Sequence, residues 1–591
     1  MTRGVHKPGW LARIAATKSG RMQLSACLTL LLVGLSAALL PITFLTNDDA
    51  SIMYTFAGYY TGEPYPVHGF VNLPLGYITS LLYMVLPQVP WWPVLQLFSV
   101  SISIWVIFYT IWDVGAEGGR PAWAMLLVDA SLYAMVLIYA VAKLSFTLTA
   151  CMLGTAGVLR ILSVDSGGDT PQEMTIYAML ESLALMIFCF LFRNSTGYSM
   201  ICFWAAAVVY QALNGIICRK GSERRRVLLR LGTFAVFSFA VFGALIWLNE
   251  WSYQQMNPTE YAAFEDARGK YLDFPHVTYD EDPAFFESLG WDREIYNLVE
   301  NSCYIDPHVT AQSLKAILAY DTGDTASPAG QFLEAMRYGE AFFRGSGPAE
   351  YLLVAPVLLA LWSVVCFFRS RKRAVELLIV LGLSLGSFGL CFYLCLVQRL
   401  ILRAFQVIGI PAAVMLLLLC LRISTGNPPP EKRRTAVLRV ALILLTLFSV
   451  GWSVTKSAIW LHQYYPQQRM ADMRTTERYA MEHEENVYVF MPTFIFNNEA
   501  FKTYPGQKPT NMMDWGDTGM YSGWKTRQLE RNGIEAFVPE IFKKDNVYLM
   551  GTLEGGELKV LIDYLVKDAG AKGMERVDTI GTGYAVFKVV Y

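Results

Sequence analysis

MQLSACLTLLLVGLSAALLPITFL (residues 22–45), running directly into TNDDASIMYTFAGYY (46–60), is the stretch whose reading decides the fold. The first segment carries no charge and is longer than the roughly 20 residues a helix needs to cross about 30 Å of hydrocarbon. A helix is the element that satisfies its own backbone groups where water is absent. The tail before it holds Arg3, Lys7, Arg13, Lys18 and Arg21 and no acid. It therefore reads as an uncleaved anchor with a cytoplasmic N-terminus.

Outward from the anchor, the apolar residues, 54% of the 591, come in runs of about span length, while only 16% are charged. This is the composition of a polytopic α-helical membrane protein. Further spans are expected at 91–112, 121–142, 145–162, 174–192, 197–217, 231–249, 350–368, 374–398, 404–422 and 437–459, which makes about eleven. Counted from a cytoplasmic start, the basic segments 219–230, RSRKR at 369–373 and EKRR at 431–434 all fall on the cytoplasmic side, as the positive-inside bias requires. Leu73 to Pro87 is apolar but short, and as a span it would turn every later basic loop outward. It is read as interfacial or re-entrant.

The domain plan that follows is a cytoplasmic basic tail (1–21), a transmembrane module (22–249) with a first external loop (46–90), a large external loop (250–349), C-terminal transmembrane helices (350–459) and an extracytoplasmic domain (460–591). The large loop carries seventeen acids against six bases. In the last domain the strand-like runs 486–491, 546–551 and 584–590 alternate with helix-like stretches near 518–533 and 556–569, the pattern of a small α/β unit. Nine of the ten cysteines lie within or at the ends of spans, so neither a disulfide framework nor a CxxC metal site is indicated. P-loop, Rossmann, HExxH and GxSxG motifs are absent in any supporting context. A net charge of −1 with no basic domain leaves nucleic acid out as a partner.

Asp48 and Asp49 follow the anchor, and Ile52, Met53, Phe56 and Tyr59 or Tyr60 then recur at helical spacing, which predicts a short helix on the membrane surface. Adjacent carboxylates there can do chemistry, because repulsion and desolvation raise one pKa and a carboxylate can take a proton or hold a cation. The plainer alternative is that Asn47 or Asp48 caps the helix and Asp49 complements its dipole. The same topology puts Lys143, Arg193, Arg399 and Arg403 at outer ends of spans, where bases should be scarce. A lipid-borne phosphate would explain them together; snorkelling or pairing with a loop acid would explain each alone. Tyr261, Glu265, Asp266, Arg268, Lys270, Asp273 and His276 form a mixed patch that either covers the site or is an ordinary solvated loop. His68 and Asn72 lie close to the acidic pair in sequence and are further candidates for substrate contact.

The first external loop resembles that of the GT-C superfamily of membrane glycosyltransferases. In its protein mannosyltransferase and aminoarabinose transferase branches an Asp-Glu pair precedes a surface helix, a Gly-containing turn and a Pro-Pro-Leu-like element. Here those places are taken by Asp48-Asp49, Thr61-Gly62-Glu63-Pro64 and Asn72-Leu73-Pro74-Leu75-Gly76-Tyr77, with Asp in place of Glu and one Pro where two are common. A large loop between spans seven and eight and an external C-terminal domain also occur in the superfamily. The resemblance implies a GT-C-like fold and an inverting sugar transfer from a polyprenyl-phosphate donor to a glycan, lipid or protein acceptor of the cell envelope, outside the plasma membrane. It implies Asp48 as the catalytic base that deprotonates the acceptor, with Asp49 as the second catalytic carboxylate, and Arg193, Arg403, Arg399 and Lys143 on the donor phosphate. His68, Asn72, Arg268 and Asp273 would contact substrate. No cofactor is obligatory in that chemistry, and a divalent cation is left open. A transporter or flippase is the alternative, on the mid-membrane acids Asp129 and Glu181, although no related halves are detected. A polysaccharide assembly protein without transferase activity is a third reading.

Overall fold

The computed structural model describes residues 10–164, 172–257, 259–320, 328–345, 349–370, 373–424, 440–441, 443–452, 454–456, 467–491, 499–515 and 519–591. The chain begins with α1 (Lys18–Leu39), β1 (Thr43–Phe44), α2 (Asn47–Ala57), α3 (Leu73–Val85), α4 (Trp91–Glu117) and α5 (Ala122–Ala142), then β2 (Lys143–Leu144), α6 (Phe146–Ser163), α7 (Gln172–Phe192), α8 (Asn194–Cys218), α9 (Gly221–Met256) and α10 (Thr259–Asp273). The large loop ends on α11 (Pro328–Gly345), and α12 (Ala349–Ser370), α13 (Ala374–Leu396) and α14 (Leu402–Ile423) follow.

Among the described residues nine helices are long and apolar enough to cross a membrane: α1, α4 to α9, α13 and α14. Two shorter apolar helices, Leu352–Phe368 and Ile443–Lys456, fall on the eighth and eleventh expected spans. The basic segment 431–434, residues 371–372 of RSRKR and part of the last span lie outside the described residues. The fold is thus a multi-pass helical bundle with a small sheet at the C-terminal end of the chain.

Three local expectations are corrected. The anchor helix runs 18–39 rather than to residue 45. Pro41 has no N–H to extend it, and Thr43–Phe44 pairs in parallel with Lys143–Leu144, so the supposed turn after the third span is a strand. Nor does α2 lie on the membrane surface, since every residue from Asp49 to Ala57 is buried. Ser51 and Thr55 are buried beside Ile52, Met53 and Phe56, and Glu477, Lys502 and Tyr504 from the far end of the chain bond Tyr54 and Tyr59 and cover this part of the chain. The helix ends at Gly58 (φ 73°), where a Cβ would stand 2.2 Å from the Glu63 carbonyl carbon, so only glycine fits.

The short apolar segment 73–85 is helical but spans only about 20 Å at 1.5 Å per residue, too little to cross the hydrocarbon. It buries Leu75, Thr79 and Tyr83 and turns Ile78, Leu81 and Val85 outward. In contrast, α9 runs well beyond its expected span, to Met256.

The C-terminal sheet has the order β4-β3-β5-β7-β6, with β3 (Val487–Phe490), β4 (Met512–Asp514), β5 (Val547–Thr552), β6 (Gly573–Ile580) and β7 (Tyr584–Val590). β3 is parallel to β4 and β5, while β7 is antiparallel to β5 and β6. Of these, β4 and β6 are absent from the sequence expectation. The large loop shares a core with this sheet: Trp291, Leu298, Ile305 and Leu314 pack in one cluster with Val489, Trp515, Leu549 and Leu565. Loop and sheet therefore form one structural body over the end of the bundle that carries α2.

Candidate active site

Asp48 lies in the first turn of α2 and Arg403 is the second residue of α14, and the two form an ion pair at 2.5 Å between Arg403 Nη1 and Asp48 Oδ2. Arg399, in the turn before α14, pairs with Asp273 at the end of α10 and lies 4.8 Å over the Phe274 ring. Arg193 precedes α8. Its Nε donates to Ser195 Oγ at 2.8 Å, its Nη1 donates to Thr147 Oγ1, and its guanidinium stacks 4.7 Å above Phe146. Burial, together with the like charge of Arg403, lowers its pKa to about 10, against the pull of Asp48, Asp49 and Asp273. It remains a cation at neutral pH.

Two cavities meet at these groups. The first, of about 300 Å³, is lined by Arg193, Arg399, Arg403 and Ser195 together with Leu390, Leu394, Ile401 and Val407. Leu390 and Ile401 are exposed on the outside of the bundle, so this cavity is edged by lipid-facing surface. The second, of about 490 Å³, is lined by Asp48, Phe70, Tyr253, Tyr261, Glu265, Asp266 and Arg268, among others. Arg193, Arg403 and Asp273 line both. A cationic compartment edged by apolar side chains therefore shares a wall with an acidic, aromatic one, and the Asp48–Arg403 pair stands in that wall. Volumes of this size are those of ordinary small-ligand sites.

Asp49 faces the other way. Its Oδ1 accepts from Gln96 Nε2 at 2.7 Å and from the backbone N–H of Phe146 at 2.9 Å, and it lines neither cavity. It joins the start of α2 to α4 and caps the start of α6. Burial pushes its pKa up to about 7, against those two hydrogen bonds, and the charge of Asp48 adds to the rise.

Of the residues expected at the site, the cavities gather Asp48, Arg193, Arg399, Arg403, Arg268 and Asp273. Arg268 is held by a two-pronged pair to Glu265, at 2.5 and 3.0 Å. Lys143, His68 and Asn72 line neither cavity. Lys143 is buried in β2, where strand pairing sets it beside Thr43 and its Nζ donates to Thr43 Oγ1 at 2.8 Å; burial lowers its pKa to about 8. His68 is buried behind Gly69 and Phe70, with Nε2 3.4 Å from Ser51 Oγ, and burial lowers its pKa to about 4, which keeps it neutral. Asn72 donates to Asn194 Oδ1 at 3.0 Å and so steadies the residue after Arg193.

Residues the sequence expectation passed over are Tyr253, Phe70, Thr147, Ser195 and Ser302. The polar run that follows Arg193 was the one available signal for Ser195. Tyr253 enters only because α9 continues past residue 249 and stacks it on Tyr261, ring centres 6.2 Å apart. Among the described residues no three His, Cys, Asp or Glu side chains gather closely enough to hold a metal ion. Within the bundle, Glu181 accepts from Arg160 Nε at 2.5 Å and Tyr109 at 2.8 Å, and Asp129 from Trp112 Nε1 at 2.5 Å.

No protein-family model matches the chain, and no curated protein matches it. Among solved structures, it is similar to the crystal structure of ArnT from Cupriavidus metallidurans bound to undecaprenyl phosphate. That match is 12% identical, covers 97% of this chain and 98% of that one, and has a TM-score of 0.41. The same protein in the apo state is 11% identical over the same shares, with a TM-score of 0.40.

Proposed function

We propose that the chain is a membrane glycosyltransferase that takes a sugar from a polyprenyl-phosphate donor and passes it to a cell-envelope acceptor on the extracytoplasmic face of the plasma membrane. The observation that carries this reading is the shared wall, with the Asp48–Arg403 pair between a cationic, lipid-edged cavity and an acidic, aromatic one. The assignment of faces rests on Arg224, Arg225 and Arg226 at the opposite end of α9, on the cytoplasmic side by the positive-inside bias.

In this reading the donor's phosphate enters the first cavity, where guanidinium groups complement it and Leu390, Leu394 and Ile401 offer the prenyl chain an apolar path. The acceptor enters the second, against Tyr253, Tyr261 and the carboxylates. The phosphate competes with Asp48 for Arg403, so donor binding frees the carboxylate to take the acceptor's proton. The acceptor heteroatom then bonds to the anomeric carbon as the bond from that carbon to the phosphate oxygen breaks, with inversion. The leaving phosphate's charge is met by Arg193, Arg399 and Arg403. The carrier phosphate is itself the leaving group, so the scheme calls on no cofactor.

The test is sugar transfer from a panel of polyprenyl-phosphate sugars in membranes holding the full chain, with and without a chelator. Asp48→Asn should cut the rate by about 10²- to 10⁴-fold, the range of a lost general base. It should still bind polyprenyl phosphate. Transfer at the wild-type rate by that variant would exclude the mechanism.

A further inference from the structure

At the opposite end of the bundle from Asp48 lies a third cavity, of about 410 Å³, enclosed by α5, α12 and α14 and a short helix near residue 446. Its walls are almost wholly apolar, with Leu127, Met135, Leu358, Trp362, Ala413 and Leu417 among them. Leu127 is 59% exposed, so the cavity opens sideways through the part of the bundle surface that meets lipid. α14 measures its position: Arg403 sits at one end and Ser424 just past the other. From Ser424 to Ala413 is about 16 Å along the helix, close to half of the roughly 30 Å of hydrocarbon. The cavity therefore occupies the depth of one leaflet.

Arg120 stands at its headgroup end. Arg120 Nη2 donates to the Ser424 carbonyl oxygen at 3.0 Å and also to Ser424 Oγ. No carboxylate among the described residues pairs with Arg120, while Arg21, Arg160 and Arg373 at the same end of the bundle each have an acid partner. A guanidinium with no acid partner among the described residues, at headgroup depth above an apolar slot one leaflet deep, has two-part chemistry: a fixed cation for a phosphate and a dry path for a hydrocarbon chain.

We propose that this cavity is a binding site for an anionic phospholipid, with an acyl chain in the slot between α5, α12 and α14 and the headgroup phosphate on Arg120. The site is separate from the transfer reaction and stands whether or not the chain is a transferase. A prenyl chain in the same slot would have no need of Arg120, which makes the two occupants distinguishable.

The test is native mass spectrometry of the full chain released from nanodiscs of equal phosphatidylglycerol and phosphatidylcholine. The wild type should retain one phosphatidylglycerol per chain in preference to phosphatidylcholine. Arg120→Gln should reduce that preference roughly tenfold, the worth of a charge-assisted hydrogen bond. Ser131→Phe, which fills the slot from its partly exposed wall, should lose the retained lipid; Ala413→Phe fills it from the α14 side and serves if the first variant does not fold. Equal retention of the two lipids by the wild type, an unchanged preference in Arg120→Gln, or a retained prenyl lipid in the slot would each overturn the proposal.

Discussion

Arg403→Gln is the substitution that separates the proposed roles of the two sides of the shared wall. The guanidinium bonds Asp48 at 2.5 Å and lines both cavities. If it moves to the donor phosphate, glutamine removes a hydrogen bond to a charged group, worth about 1.5–3 kcal/mol. The kcat/KM for donor should then fall by roughly 10- to 150-fold. The fold should scarcely notice: the two side chains are 29% and 16% exposed, and pairs with that much solvent contact contribute about 0.2–1 kcal/mol. Arg403→Lys keeps the charge without the planar fork and should recover part of the loss. The assay is initial rate against donor concentration at saturating acceptor in proteoliposomes, alongside thermal unfolding of the same samples. Asp48→Asn should instead lower kcat, and it should also lower the donor KM, because the carboxylate that competes with the phosphate for Arg403 has lost its charge. Donor kcat/KM within twofold of wild type in Arg403→Gln would refute the assignment of Arg403 to the phosphate.

Lys502 and Glu477 form a buried pair at 2.6 Å, with Tyr54 and Tyr504 also bonded to Glu477, and Tyr54 belongs to α2. Glu477→Gln leaves the lysine charge uncompensated and should cost about 3–5 kcal/mol, read as a lower unfolding temperature; Glu477→Gln with Lys502→Met should recover most of it. Lys143→Met should leave the donor KM within twofold, because Lys143 lines neither cavity, a result that a phosphate-binding lysine would contradict. Asp49→Asn keeps the Oδ1 that accepts from both Gln96 and Phe146 and loses the charge. With a folded pKa near 7 and an unfolded one near 4, only the unfolded chain ionises between those values. Wild-type stability should therefore fall as pH rises from 4 to 7 and then level. The variant's unfolding temperature should be flatter over that window.

The spans were legible because each is a long apolar run with at most two charged residues, and the described helices lie where those runs lie. The cations were legible as anomalies, since Arg193, Arg399 and Arg403 sit where the topology should place no base. Lys143 gave the same signal and led elsewhere, because a charge at a span end does not reveal which way the side chain turns. Its direction is set by pairing with Thr43, a hundred residues away. The burial of α2 was equally out of reach. The groups that cover it, Glu477, Lys502 and Tyr504, come from the far end of the chain. β6 went unread because GMERVDTI is a mostly exposed edge strand with charges in place of apolar alternation. β4 is only three residues long and offers no periodicity to count.

The two neighbouring acids have been given different environments, and that division sets the charge of the seam. Arg193, Arg399 and Arg403 supply three positive charges there, and Asp48 and Asp273 supply two negative ones, a surplus of one when Asp49 is protonated. With Asp49 ionised the sum is zero. Because burial raises the Asp49 pKa to about 7, the surplus is present below neutrality and fades as pH rises through it. A donor phosphodiester keeps its single charge over the same range, so its attraction to the seam follows Asp49. The donor KM should therefore rise between pH 6.5 and 8.5 in the wild type and stay level in Asp49→Asn, whose seam keeps its positive charge. The carboxyl of Asp49 need never touch substrate for this to hold, only remain within Coulombic reach of Arg403, as it does. A wild-type donor KM that is flat across those pH values would show that Asp49 serves only to fasten α2 to α4 and α6.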